Sequence, residues 1–199
     1  MKGATKYRSI ASLALLLSLL LLHASCSKSL FKVKPAGALP PLSASAASAN
    51  VGVITFRAAP LLTDEETQEL FESNLQLAGL LPIRLEVIHN GGNPIEFKKL
   101  KFRLHDASSS DWKLISAKAA ISRILKANDV FAYNPNSRKT FEKEFRAYEF
   151  DLKTPFASTE TKRQGILIFQ TAKKEPVASP KELTLTIEGL AQPVSLKLN

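Results

Sequence analysis

A run of thirteen apolar residues near the N-terminus constrains this chain more than any other feature. The run extends from Ile10 to Leu22, follows three cationic residues, and contains nothing more polar than Ser12 and Ser18. A helix of thirteen residues rises only about 20 Å, whereas the hydrocarbon core of a bilayer is about 30 Å thick. A buried helix is the alternative, but the polar stretch that follows gives it nothing to pack against. The run therefore favours the apolar region of a signal peptide over 1–25.

The residues at the end of this run, Leu22-His23-Ala24-Ser25-Cys26, resemble the lipobox of bacterial lipoproteins. In that family small residues precede a cysteine that is diacylated on sulfur and becomes the mature N-terminus. The family usually has leucine three residues before the cysteine, where this chain has His23. The resemblance implies lipidation of Cys26 and a membrane partner held through that lipid. It also implies an outer-membrane address facing the periplasm in a two-membrane host, because Ser27 rather than aspartate follows. The alternative is ordinary cleavage and a soluble secreted protein.

The cysteine count and the charge agree with an exported protein. Cys26 is the only cysteine, so no intramolecular disulfide can form and the fold must rest on its apolar core. Without the leader, 24 lysines and arginines face 18 acids, a net charge of +6. Such a charge favours anionic partners, namely phospholipid head groups, lipopolysaccharide or cell-wall polymers. Nucleic acid is not expected as a partner in that compartment.

The composition changes abruptly between the proposed anchor and the rest of the chain. Three prolines and the low-complexity run from Ser43 to Ala49 show no apolar period. A segment of this kind buries too little apolar surface to offset the entropy lost on ordering. We therefore predict that residues 26–50 form a lipid-anchored flexible tether, and that residues 51–199 form one domain.

Strand patterns dominate the predicted domain. Residues from Leu81 to Ile88 alternate with one buried face, and the Asn-Gly turn over 90–94 is typical of a tight hairpin before the next strand. Further strands are predicted over 51–57, 165–171, 182–188 and 194–198. The segments Leu81–Val87 and Arg163–Phe169 resemble strands of the immunoglobulin-like domains found in many bacterial lipoproteins. The resemblance implies a mainly β protein, an immunoglobulin-like antiparallel β-sandwich with two or three short helices inserted or flanking.

Three helices interrupt the strands. Thr63 and Glu66 have the spacing of a capping box at a helix start. Ser116 is the predicted cap of a second helix, whose apolar residues fall on one face. Residues 137–149 have apolar side chains at helical spacing, but Tyr148, Phe150 and Leu152 also alternate as in a strand. Helix and strand therefore both remain open for that last segment.

One strand carries a regular row of positive charge. Its residues alternate between apolar side chains and cations, and the candidate anion-binding residues are Lys98, Lys99, Lys101, Arg103 and His105. Charges on one strand face repeat about every 7 Å, which suits an anionic polymer or lipid. The alternative is that the lysines protect an exposed sheet edge from aggregation. Phe97 and Trp112 lie nearby and are predicted to belong to the core.

No catalytic or metal-binding motif is visible. His89 and His105 are interpreted as surface histidines near strand ends, although His105 and Asp111 have the potential to meet. Zinc needs three or four converging ligands, and the chain shows no such spacing, so neither a metal nor a cofactor is expected. We therefore expect a non-enzymatic lipoprotein of the cell envelope that acts as a protein-interaction or structural module. Binding of anionic polymers or lipids is the alternative, and a hydrolase is a distant third.

Overall fold

The computed structural model describes residues 30–91, 93–107, 111–130, 134–178 and 180–199, which form one antiparallel sheet and three helices. The eight strands are β1 (Ala47–Val51), β2 (Ile54–Pro60), β3 (Leu80–His89), β4 (Lys101–His105), β5 (Asp111–Ile115), β6 (Lys162–Gln170), β7 (Thr184–Glu188) and β8 (Val194–Lys197). The helices are α1 (Asp64–Phe71), α2 (Ala117–Ala127) and α3 (Pro135–Arg146). Two short 3₁₀ turns cover Ala36–Ala38 and Phe97–Lys99.

The sheet curls until it is nearly barrel-shaped. Its strand order is β1-β2-β3-β6-β5-β4-β7-β8, and the two edge strands, β1 and β8, approach each other. The inward-facing side chains of seven strands, β2 to β8, meet in one apolar cluster that includes Phe56, Leu85, Leu104, Phe169 and Leu185. This cluster is the main core of the protein.

The central strands β3 and β6 are buried on both faces. Leu81 and Leu167 point into the main core, whereas Leu80, Ile166 and Ile168 belong to a second apolar cluster on the outer face. The three helices supply the rest of that second cluster, including Phe71, Ile121 and Phe145. The helices therefore lie on the outside of the sheet, over its two most apolar strands.

The prediction of a β-rich domain with two or three helices is confirmed, whereas an immunoglobulin-like sandwich is not confirmed. The described strands follow one another in a single sheet, because β5 pairs with β4 at one end and with β6 at the other. The predicted strands after residue 160 agree with β6, β7 and β8 to within a few residues. The predicted opening strand over 51–57 is displaced, because Val51 ends β1, and Gly52 and Val53 form the turn to β2.

The expected tight hairpin after β3 is wrong. β3 pairs with β2 and β6, while the following strand, β4, pairs with β5 and β7. Between them the chain crosses one end of the curled sheet, where Ile95 and Phe156 exchange backbone hydrogen bonds of 3.0 and 2.8 Å. Three aromatic residues, which we call the aromatic plug, fill that end, namely Phe97, Phe150 and Phe156. The prediction that Phe97 and Trp112 belong to the core is confirmed.

Arg163 holds the aromatic plug in place. Its guanidinium lies 5.0 Å from the ring centre of Phe156 and 5.3 Å from that of Phe97. The same group donates hydrogen bonds to the carbonyls of residues 151, 154 and 155 and to both carboxylate oxygens of Glu160. The hydrogen bond to the Glu160 carboxylate is the main reason why the pKa of Arg163 is raised. One side chain thus closes the loop that carries the plug.

The predicted helix starts are confirmed. The Thr63 hydroxyl accepts from the Glu66 amide at 3.2 Å, and the Glu66 carboxylate accepts from the Thr63 amide at 3.0 Å. The Ser116 hydroxyl accepts from the Ala119 amide at 3.3 Å. α3 ends at Arg146, so the helix interpretation of 137–149 holds for most of that range. Residues 147 and 148 form a turn, and residue 149 forms a parallel bridge with residue 166 of β6.

The predicted tether is wrong for residues 30–50. We call residues 30–46 the strap, because they lie across the outer face of the sheet and against α1 and α3. The Phe31 ring packs 5.0 Å from that of Phe141, and the Lys34 carbonyl accepts from the Tyr148 hydroxyl at 2.7 Å. Residues 47–50 form most of β1. The strap is held by buried apolar side chains, Val33 and Leu42, and by hydrogen bonds to main-chain groups, and these anchors were overlooked beside the prolines and the low-complexity run.

The predicted leader over 1–25 and the lipidated Cys26 lie outside the described residues. Within the part of the chain that the structure describes, none of the helices combines the length and the apolar character needed to cross a bilayer.

We predict that Gly165→Ala destabilises the protein strongly. A Cβ atom at Gly165 would lie 2.6 Å from the Cα of Phe150, where that chain segment crosses β6 on its way to the plug. Overpacking of a core typically costs 1–3 kcal/mol, and a backbone neighbour yields poorly, so we expect a loss of at least about 2 kcal/mol in urea unfolding. Gly37→Ala is the control, because nothing lies within 4 Å of a Cβ there. Equal stability of the two variants would contradict the close approach of the Phe150 backbone to Gly165.

Candidate functional site

The predicted row of cations is only partly a strand. Lys101, Arg103 and His105 lie on β4, with Phe102 and Leu104 buried between them, so the predicted alternation holds there. Lys98 and Lys99 lie instead in the 3₁₀ turn before the strand. β4 pairs with β7 along its whole length but with β5 only at Leu104 and His105. Among the described residues the β5 side of Lys101 and Arg103 is therefore unpaired, and protection of that edge stays an alternative explanation for Lys101.

Carboxylates accompany most of these cations. Glu96 lies 2.9 Å from Lys99 Nζ and 3.8 Å from Lys98 Nζ. Arg103 Nε is 3.0 Å from Glu188 Oε1, and His105 Nδ1 is 2.9 Å from Asp111 Oδ1.

The two lysines near Glu96 leave its carboxylate with a pKa below its usual value, Lys99 contributing most. Lys101 has no ion pair in the described ranges. The anion-binding surface stays a prediction, with less uncompensated charge than its sequence indicates.

The two described histidines differ from each other. His105 and Asp111 meet, as their positions in the sequence allowed. His89 is not a surface residue: it is buried under the plug, with its ring 5.4 Å from that of Phe156. Neither ring nitrogen of His89 has a hydrogen-bond partner among the described residues. No group of three potential metal ligands occurs in those residues either.

A buried carboxylate on the outer face of β3 was also missed. The alternation of β3 places Glu86 away from the main core, which the sequence reads as a solvent-facing position. Glu86 is instead only 2% exposed. Arg57 Nη1 donates to it at 2.8 Å, Lys162 forms a second ion pair with it, and Arg57 also donates to the Ser43 carbonyl at 2.6 Å. Glu86 therefore links β2, β6 and, through Arg57, the strap.

An opening with an apolar lining lies between β5, β6 and the segment that follows α3. We call it the β5 cleft. Its volume is about 470 Å³, within the range typical of ligand pockets. Half-buried apolar side chains form its walls, namely Leu114, Ile115 and Leu152, and the buried Ile166 and Ile168 lie at its floor. A shallower depression of about 320 Å³ lies beside Lys101 and Arg103 and shares Leu114 with the β5 cleft.

Charged side chains surround the mouth of the β5 cleft. Two are cations, Arg146 and Lys153, and two are carboxylates, Glu149 and Asp151. Both carboxylates are already used as acceptors within the protein. Glu149 Oε1 accepts from the Ala117 amide at 2.9 Å, and Asp151 Oδ1 accepts from the amides of residues 153 and 154.

Hydrogen bonds from Thr154 lower the pKa of Asp151 and keep it ionised. Arg146 has only a long contact of 3.4 Å, to Glu142, and Lys153 has no ion pair in the described part of the chain. The cations at the mouth are therefore the groups open to a ligand. An apolar wall with two available cations can hold a group that is apolar at one end and anionic at the other.

Sequence patterns did not reveal the β5 cleft. Its residues come from three separate segments, and β5 is only five residues long. The alternation of Trp112 and Leu114 with charged neighbours was the one available signal for β5. No local pattern indicates that Lys153 would lie beside Arg146.

We predict that Glu86→Gln lowers the free energy of unfolding at neutral pH and reduces the loss of stability that occurs as the pH falls. Burial raises the pKa of Glu86, but hydrogen bonds from Lys162 and Arg57 lower it more, so its pKa lies below the usual value. A carboxyl with a lowered pKa stabilises the fold above its unfolded pKa of about 4.3, and this contribution disappears as the pH falls through the folded pKa. We expect a loss of about 1–3 kcal/mol at pH 7, because the cations lose their charged partner.

Urea unfolding at pH 7 and between pH 5 and 3 measures both effects. The control is Glu175→Gln, at an exposed carboxylate that has no ion pair in the described ranges. A Glu86→Gln variant that matches this control at every pH would show that the buried ion pairs contribute nothing.

No protein-family model, no curated protein and no solved structure matches this chain. A role for the β5 cleft and for the cations of β4 must therefore come from their own geometry and chemistry.

Proposed function

We propose that this chain is an exported lipoprotein of the cell envelope, anchored through lipid on Cys26, that works as a non-enzymatic protein-interaction module. The leader and the lipobox-like residues support the anchor. The β5 cleft is the observation that carries the interaction role. It combines half-buried apolar walls with cations at its mouth, and it is built on strands and a helix end rather than on a long loop.

The chemistry of the cleft defines the partner segment. A side chain such as leucine or phenylalanine would cover Leu114, Ile115 and Leu152, and burial of apolar surface contributes about 25 cal/mol per Å². A carboxylate next to that side chain would lie within reach of Lys153 and Arg146. The partner is therefore a protein segment with an apolar residue beside an acidic one. Charged rim contacts of this kind contribute to the association rate and to specificity more than to affinity.

The anchor is tested by labelling cells with a radioactive fatty acid and separating membranes from the soluble fraction. We expect the parent protein to carry the label and to stay with the membranes, because two or more acyl chains give stable anchoring. Cys26→Ala should lose both the label and the membrane location. Ser27→Ala is the matched control, since it keeps the thiol and should behave like the parent. An unlabelled parent protein would contradict the anchor.

The interaction role is tested by photo-crosslinking in intact cells. A photoreactive residue at Lys153, at the cleft mouth, should give one discrete adduct, whereas the same residue at Lys197 on β8 should not. Ile115→Trp fills the cleft and should reduce the adduct at least tenfold. In the purified complex, Lys153→Glu should weaken binding, and the difference from the parent protein should shrink as the salt concentration rises. Thermal unfolding of Ile115→Trp checks that it is folded. Loss of the adduct only in unfolded variants, or equal adducts at both positions, would refute the role of the cleft.

A further inference from the structure

We infer that α3 docks on an anionic lipid surface and sets the orientation of the domain on the membrane. The inference deepens the proposed function and rests on the anchor at Cys26. It concerns an exposed row of lysines on α3 and the place where the strap reaches the domain.

The exposed face of α3 is basic. Its buried face carries Ser137, Phe141 and Phe145, and the opposite face carries Lys139 and Lys143 one turn apart. We call Lys139 and Lys143 the lysine pair. Neither lysine has an ion pair in the described part of the chain, and Glu142 of the same helix is held by Arg138 at 2.6 Å. A solvated helix face would look the same, so the charge alone is not sufficient.

The position of the strap supplies the second observation. The first described residues, Leu30 and Phe31, pack against the outer apolar cluster, and the Phe31 ring contacts Phe141 of α3. The chain therefore reaches the domain between α3 and the C-terminal end of α1, where the Lys32 amide donates to the Glu72 carboxylate. Only four residue steps separate Leu30 from Cys26, and a chain spans at most about 3.6 Å per residue, or about 14 Å in total.

This distance keeps α3 close to the bilayer. The head-group region adds roughly 5–7 Å on each side of the hydrocarbon core, and the Debye length at physiological salt is about 8 Å. Leu30, at most about 14 Å from the anchored Cys26, thus lies within about one Debye length of the head-group surface, and the side of the domain around Leu30 is the side that meets the negative surface potential. Each lysine near such a surface contributes on the order of 1 kcal/mol, a roughly fivefold effect on docking.

The neighbouring helix makes the orientation specific. α1 lies beside α3, with Phe71 and Phe145 rings 5.1 Å apart, and its exposed residues include Asp64, Glu65 and Glu69. Glu69 is paired with Lys34 of the strap, but the first turn of α1 keeps its negative charge. An anionic surface attracts α3 and repels the first turn of α1, so the domain turns its α3 side towards the lipid.

The experiment uses the acylated full-length mature protein in vesicles that contain about 30% anionic phosphatidylglycerol. Cys26 is the only cysteine and its sulfur carries lipid, so an introduced cysteine is the one free thiol for a fluorophore. One label is placed at Asn136→Cys on α3, and the other at Ser195→Cys on β8. Lipids with a nitroxide on the head group should quench the label on α3 and leave the label on β8 bright.

Charge variants provide the decisive comparison. Lys139→Glu together with Lys143→Glu should reduce the ratio of docked to undocked protein by more than about 30-fold, because two attractions of roughly fivefold each are lost and repulsion is added, while the protein still floats with the vesicles. Neutral vesicles or 1 M salt should have the same effect. The control replaces Lys113 and Lys197, two exposed lysines on strands, by glutamate and should leave quenching unchanged. Thermal unfolding shows that each variant is folded, and Lys139→Gln with Lys143→Gln gives an intermediate effect.

The outcomes separate docking from anchoring. Equal quenching at positions 136 and 195, or unchanged quenching in the glutamate variant, overturns docking and leaves the anchor standing. A mature protein whose mass shows no acyl chains overturns the anchor and, with it, the docking that depends on the short connection.

Discussion

The burial of β3 and β6 on both faces is the constraint on which the rest of this structure depends. One face of each strand fills the curled sheet, so the other face also needs an apolar cover. The helices provide it over Leu80, Ile166 and Ile168. They cannot cover the whole of β3, and the strap lies over the remainder. Glu86 sits in that covered region, and a buried carboxylate is tolerated only with charged or hydrogen-bonding partners. Arg57 and Lys162 supply them, and Arg57 extends the link to the strap.

This constraint changes the meaning of the N-terminal segment. A flexible tether of 25 residues would let the domain move well away from its anchor, and its orientation would be unimportant. Residues 30–50 instead contribute a strand and a cover for the core, so only three residues, 27–29, separate Cys26 from the described part of the chain. With the lipid that we propose on Cys26, the surface beside the strap would stay close to the membrane. A short connection between the domain and Cys26 would keep the charges of that surface near enough to be attracted by an anionic membrane, whereas with a long tether salt would screen this attraction.

Regular alternation and helix caps made much of the fold predictable. β6 to β8 and the starts of α1 and α2 follow from patterns contained within one segment. Alternation failed where the environment was set by distant residues. It assigned Glu86 to solvent because it cannot show that the strap covers β3. Composition assigned residues 47–50 to a tether, because the pairing of this strand with β2 is not visible in its own sequence. Of the candidate sites, the cations of β4 and the possible contact of His105 with Asp111 were visible in the sequence, but the partner of Arg103 on β7, Glu188, was not.

The β5 cleft and the lysine pair are connected through α3. Arg146, at the cleft mouth, lies three residues after Lys143, or about 4.5 Å further along the helix axis. A domain that rests on Lys139 and Lys143 therefore holds the mouth of its cleft near the lipid surface. This geometry favours a partner that is itself at the membrane, because its acidic segment could enter the cleft without leaving the surface. Restriction to a plane also raises the effective concentration of the two proteins, so a cleft of modest affinity is sufficient. If the proposed anchor and docking hold, the anchor, the basic helix and the cleft would together present the cleft to a partner at the membrane.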